Sequence, residues 1–204
     1  MLYKIEFCGG KNSMIFHYAG KYDGDESKLP CKEHHPKAIS LKEPGDTKKL
    51  SLIANIGCVL VMIVLAIPFL ILGIKYIPDN AVWMMIGGVC GGLSLLPHEL
   101  LHAICFKKDV YMYNDLAHGL MFVVGTEDMS KRHFIFMCLC PKIVFGLIPY
   151  IVFLIFPHLV GLGLFGIICI GTGFGDYVNV YNAIKQMPKN AKTYLCGMHS
   201  YWYL

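Results

Sequence analysis

Charge is what this chain has least of. Only 16% of its 204 residues are charged, where an average soluble domain carries about 25%. Arginine is all but missing, Arg132 being the single one among 18 Lys and Arg. No basic cluster alternates with aromatic side chains, which leaves a nucleic-acid partner without support. The first 50 residues are polar and the first apolar run starts near Ser51, so we expect no signal peptide. Internal repeats and low-complexity tracts are lacking as well.

Nine cysteines are present, but their placement argues against a disulfide scaffold. Cys58, Cys90, Cys105, Cys138, Cys140 and Cys169 lie in or beside apolar runs, where a thiol packs as a small hydrophobe. Cys8, Cys31 and Cys196 remain, an odd number, which suits a reducing, cytosolic face. Cys31, His34 and His35 lack a second ligand pair and read as ordinary surface residues. His17, His158 and His199 have no supporting pattern.

What is abundant is apolar sequence: 55% of residues are hydrophobic and mean hydropathy is +0.52. Four runs stand out, Ser51–Ile74, Ala81–Phe106, Phe134–Phe156 and Leu159–Val180. Spanning hydrocarbon takes about 20 residues, so the expected fold is an all-α membrane protein with four transmembrane helices. Residues 1–50 are expected as a cytoplasmic segment, 51–180 as the transmembrane domain and 181–204 as a cytoplasmic tail. The tail ends in Tyr201-Trp202-Tyr203, residues suited to a membrane interface. In the N-terminal segment, Leu2 to Phe7 and Met14 to Tyr18 flank Gly9-Gly10-Lys11-Asn12, the pattern of a small β-hairpin. Residues 20–50 read as a tether, and Lys75–Asn80 as a short loop. Val110–Tyr113 and Gly119–Val124 are strand-like, which predicts a hairpin or re-entrant segment between helices 2 and 3.

With four spans, the N-terminus, the 107–133 loop and the C-terminus share one side. That side carries nine, four and three Lys/Arg, against Lys75 alone opposite. The positive-inside rule then makes both termini cytoplasmic in a multi-pass cell-membrane protein. The lipid bilayer is one expected partner, and a membrane protein or peptide substrate the other.

The chemistry gathers in the second run, at Pro97-His98-Glu99-Leu100-Leu101-His102. Positions i and i+4 of a helix share a face, so His98 and His102 can bind one Zn2+ ion while Glu99 polarises the attacking water. Ionisable groups in such apolar flanks mark a functional site. Catalytic zinc usually takes three protein ligands. Cys105 and Lys108 stand where the extended zincin pattern wants Gly and His, which excludes that class. Asp176, in the fourth run among glycines, is the strongest third ligand. Asn179 follows it by three residues and can position it or bond a substrate backbone. Glu127 and Asp128 read as a solvated turn. His118 is a weaker ligand or substrate-binding candidate, and His133 reads as interfacial. Lys142 is expected to snorkel to the interface, with oxyanion stabilisation as the alternative role.

His98-Glu99-Leu100-Leu101-His102 in one apolar helix, followed two runs later by Gly175-Asp176, resembles the zincin peptidase family of small bacterial integral membrane proteins. More broadly it is similar to site-2 protease-like intramembrane metalloproteases. The resemblance covers roughly residues 80–190. It implies a zinc metalloendopeptidase acting on membrane-associated substrates near the cytoplasmic face, with His98, His102 and Asp176 as metal ligands and Glu99 as the catalytic residue. Site-2 proteases carry Asn-Pro-Asp-Gly or a similar sequence around the third ligand, where this chain has Phe174-Gly175-Asp176-Tyr177. Two rival readings are a non-catalytic zinc-binding membrane protein, with a structural or sensing site, and a transporter. The first run has only Asn55 as a polar group, which argues against transport.

Overall fold

The computed structural model of the chain describes residues 3–6, 14–42, 47–115 and 120–204. They divide into two compact units. The first comprises 1–42, 99–137 and 180–204, the second 43–98 and 138–179.

The first unit holds two four-stranded sheets. In one, β1 (Tyr3–Glu6) pairs antiparallel with β2 (Ile15–Lys21). β2 runs parallel to β4 (Val110–Asp115), and β4 pairs antiparallel with β5 (Leu120–Val124). Val110 and Met112 alternate with less buried neighbours, and with Phe16, the partner of Val110 on β2, they put one face of this sheet into a core. The N-terminal hairpin is therefore present, though its turn lies outside the described residues. The predicted hairpin between the second and third apolar runs is β4–β5, built into a sheet rather than re-entrant.

The second sheet has the order β3-β8-β7-β6. It is formed by β3 (Ile39–Ser40), β6 (Met129–Ser130), β7 (Lys192–Cys196) and β8 (His199–Tyr203). Residues 192–203, expected as part of a tail ending at a membrane interface, are thus a β-hairpin. The stretch expected as a tether also carries structure. Its Leu41 is buried, and Cys31 is joined to Cys196 by a disulfide across 165 residues. That corrects the expectation of unpaired thiols there: the two cysteines are far apart in sequence and only the fold brings them together. Glu127, expected in a solvated turn, is 8% exposed and accepts the backbone N–H groups of Lys107 and Lys108 at 2.8 and 2.7 Å.

The second unit is helical. The chain is helical from α1 (Thr47–Gly73) through a 3-10 turn (Ile74–Tyr76) into α2 (Ile77–Leu93). In place of the loop expected at Lys75–Asn80 the chain makes a 3-10 turn and the start of α2, with a kink at Asn80 (φ −124°, ψ 21°) that separates two helical segments. The second run breaks instead at Ser94, before α3 (Leu95–Ile104). Pro97 has no N–H to continue the ladder, and the first turn of a new helix is where that is tolerated. Downstream come α4 (Lys131–Pro141), a π-helical turn (Lys142–Leu147), α5 (Ile148–Ile155), α6 (Val160–Gly171) and α7 (Gly175–Gln186). The unit boundaries at 98/99, 137/138 and 179/180 fall within α3, α4 and α7.

Glycines let α6 pack closely. A Cβ at Gly87 would meet the Gly161 carbonyl, and one at Gly163 would meet the Phe153 and Phe69 rings. Phe69, Tyr150, Phe153, Val160 and Ile167 form the core, and the Tyr150 hydroxyl donates to Leu65 O at 2.7 Å.

The expectation of an all-α protein with four transmembrane helices is overturned by the two sheets and by the number of spans. Among the described residues two helical stretches are long and apolar enough to cross a membrane, Leu52–Leu93 and Lys131–Ile155. A third joins them if α6 and α7, bent by 52°, count as one broken span. The first two expected spans run together as one helical stretch, interrupted by a 3-10 turn and kinked at Asn80, and the parity that placed both termini on one side goes with them. Membrane association itself has a physical basis: side chains such as Ile63, Val64, Ile71, Val82 and Val89 are exposed, and so much outward apolar surface is stable only against lipid or protein.

Candidate metal centre

Helix α3 carries the motif because its first turn is seeded at Ser94. The Ser94 carbonyl accepts from His98 N at 2.9 Å, and its hydroxyl donates to Gly91 O at 2.7 Å, closing α2. Ser94 also accepts from Cys169 Sγ at 3.2 Å. One turn of helix then puts His98 and His102 on the same face. All three ionisable groups are buried, His98 at 5% exposure, Glu99 at 8% and His102 at 6%. A ligand atom from each lies within 4.8 Å of the others. His102 Nδ1 is held by the Met137 carbonyl at 2.9 Å. Such a partner fixes the ring and its tautomer, as is usual for histidines that ligate a metal.

The second unit supplies the neighbours of His98. Asp176, in the first turn of α7, places Oδ2 3.2 Å from His98 Nε2. Lys142 does not snorkel. It is 3% exposed, lies in the π-helical turn after Pro141, and places Nζ 3.4 Å from Asp176 Oδ2 while donating to Thr172 O. A lysine so placed, with a carboxylate and a carbonyl beside it, no longer needs to reach an interface. Gly173 completes the arrangement with φ +66°. A Cβ there would run into Lys142 Nζ and sit 3.3 Å from Asp176 Oδ2 and 3.4 Å from His98 Nε2. The absent side chain is what keeps these three groups together.

The donor set fits zinc. Ligand bonds of about 2.0–2.1 Å at tetrahedral angles separate two ligand atoms by about 3.3 Å. The His98–Asp176 separation of 3.2 Å is of that size, and it joins a nitrogen and an oxygen donor of the kinds zinc takes.

Other expected residues fall differently. Asn179 is one turn beyond Asp176 on α7 and half-buried. His118 lies outside the described residues. His133 bonds the Cys105 carbonyl at 2.7 Å, a contact that ties α4 to the end of α3. Sequence reasoning missed the Met137 carbonyl, which as a backbone group leaves no residue signal. It also missed the special role of Gly173, one glycine among many in its run.

His98, Glu99 and His102 form a buried group that could hold a metal ion, with the Asp176 carboxylate 3.2 Å from His98 Nε2. The chain belongs to the family described as "Putative zincin peptidase", whose model matches residues 91–192. That stretch contains the motif helix, Lys142 and Asp176. No curated protein and no solved structure matches the chain.

Proposed function

We propose that this protein is a membrane-embedded zinc metalloprotease in which His98, His102 and Asp176 hold the metal and Glu99 is the general base. The observation that carries this reading is the Asp176 carboxylate 3.2 Å from His98 Nε2, because it supplies the third donor that the motif alone lacks. Zinc, when bound, would polarise the scissile carbonyl and lower the pKa of the attacking water toward about 7.

The chain's own residues do the rest. Glu99 stands one position from the first ligand, about 100° around the helix, so it faces the attacking water rather than the ion. It takes the proton of that water as the C–O bond forms, and returns it to the amine nitrogen as the C–N bond breaks. Met137 O orients His102, Gly173 leaves room for Asp176 beside His98, and Lys142 pairs with Asp176 when the metal is absent. Asn179, one turn beyond Asp176 on that helix, is the polar group for a substrate backbone.

Leu52–Leu93 and Lys131–Ile155 support a substrate that shares the bilayer. A peptide must be extended to be cut, since a helical amide is shielded by its own hydrogen bonds. β5 is the edge of its sheet and belongs to the same unit as Glu99 and His102. An extended segment can add to such an edge by main-chain hydrogen bonds.

The test is to purify the chain in detergent and measure zinc content and cleavage of a transmembrane peptide and of casein. Glu99→Gln should keep zinc and lose cleavage. Asp176→Ala should lose zinc. Equal cleavage by wild type and Glu99→Gln would remove the mechanism. Bound zinc with no cleavage by the wild type of either substrate would favour a structural or sensing site.

A further inference from the structure

A second cluster of metal-binding side chains lies in the first unit, built from residues that the motif helix does not use. Cys31, His34 and Cys196 each present a ligand atom within 4.8 Å of the others. The two sulfurs are close enough to be joined as a disulfide. The spacing of the histidines from the two sulfurs is regular. Cys31-Lys32-Glu33-His34 and Cys196-Gly197-Met198-His199 are both Cys-x-x-His. In the sequence Cys31 and His34 lack a second ligand pair; the fold brings Cys196 to Cys31.

The local geometry favours an ion. Cys196 and His199 are direct partners at the end of the β7–β8 hairpin, and directly opposed residues of an antiparallel pair project to the same face of the sheet. Between them Gly197 adopts φ +61° and donates its N–H to Pro30 O at 2.9 Å, which draws the residue before Cys31 onto the turn. Both histidines are held from outside. His34 Nδ1 meets the Tyr194 hydroxyl at 2.9 Å, and its ring lies 4.4 Å from that of Tyr201. His199 Nε2 meets Glu26 Oε2 at 3.3 Å. A hydroxyl or carboxylate on one ring nitrogen is how histidine ligands are oriented and made more basic. Cys31, Cys196, His199 and Glu26 line one cavity of about 400 Å³.

We propose that in the reduced chain Cys31, His34, Cys196 and His199 bind a second zinc ion in a closed Cys2His2 site. Both thiols lose their protons to solvent on binding, and no electron transfer is involved. Four protein ligands leave no position for a reacting water, so the site is structural. It ties residue 31 to residue 196 and so holds the N-terminal segment against the C-terminal hairpin.

The experiment uses the full chain in detergent with both thiols reduced. Metal analysis should find about two zinc ions per chain in the wild type, about one in His98→Ala/His102→Ala, and about one in Cys31→Ser/Cys196→Ser. Cobalt replacing zinc gives a near-ultraviolet thiolate-to-metal band only where sulfur ligates. The band should appear in the wild type and in His98→Ala/His102→Ala, and weaken in His34→Ala. Because the wild type itself is read by this band, a misfolded variant does not blunt the test. Absence of the band from reduced, folded wild type would overturn the proposal. So would a Cys31–Cys196 disulfide that persists under reductant without metal.

Discussion

Lys142→Met should tighten zinc binding at the α3 centre while destabilising the metal-free protein. Lys142 is buried and its Nζ stands 3.4 Å from Asp176 Oδ2. At an effective dielectric of about 20, Coulomb's law makes that attraction 332/(20 × 3.4), or about 5 kcal/mol. Removing one partner of a buried pair costs about 3–5 kcal/mol, because the other charge is left uncompensated. Asp176 retains some solvent access, its side chain being 16% exposed, so the lower end applies. Zinc supplies the missing positive charge, so the cost largely disappears in the loaded protein. The difference appears as affinity, about 10- to 100-fold tighter at 1.4 kcal/mol per decade. The assay is chelator competition for zinc, together with thermal melting in detergent with and without metal. Melting of the metal-free variant should fall below wild type, and zinc should raise it by more than it raises wild type. A folded variant whose zinc affinity is unchanged or weaker would refute the reasoning. It would mean that Lys142 does not compete for Asp176, or that Asp176 is not a ligand.

Three further outcomes follow from the same geometry. Gly173→Ala places a methyl group against Lys142 Nζ, close to His98 Nε2 and Asp176 Oδ2, and adds about 1–2 kcal/mol for a left-handed non-glycine residue; zinc occupancy by metal analysis should fall while secondary structure by circular dichroism is kept. Gly87→Ala drives a Cβ into the Gly161 backbone, where no side chain can move aside, so detergent-solubilised yield and melting temperature should drop sharply. Asp128 is opposed by burial but held below its ordinary carboxylate range by the Lys32 hydrogen bond and charge, with His35 adding to the effect. A depressed folded value stabilises above the unfolded pKa and is lost as pH falls through the folded one. Acidification into and below the ordinary carboxylate range should therefore loosen the 32–35 stretch, read by hydrogen exchange, and Asp128→Asn should remove that pH dependence.

The motif was legible because its chemistry is local. His98, Glu99 and His102 occupy a single turn, and helix periodicity alone brings them to one face. The two hairpins were legible for the same reason, from short apolar runs set around turn residues. Asp176 stood out as an acid inside an apolar run, which predicts a partner but not which one. The number of spans was not legible. Hydropathy marks apolar segments, but whether Lys75–Asn80 forms a loop or continues a helix depends on packing. Cys31 and His34 looked like surface residues because their counterparts lie 165 residues away.

By itself, then, the sequence determined a zincin-type helix in an apolar setting, since that rests on interactions within one turn and on composition. Only the tertiary structure decided the rest. It put Asp176 and Lys142 beside His98 and the Met137 carbonyl beside His102. It joined β2 to β4 in parallel and brought Cys31 to Cys196. Each of these is a contact between segments distant in the chain, set by glycine-lined helix packing and sheet pairing, for which no local pattern carries a signal.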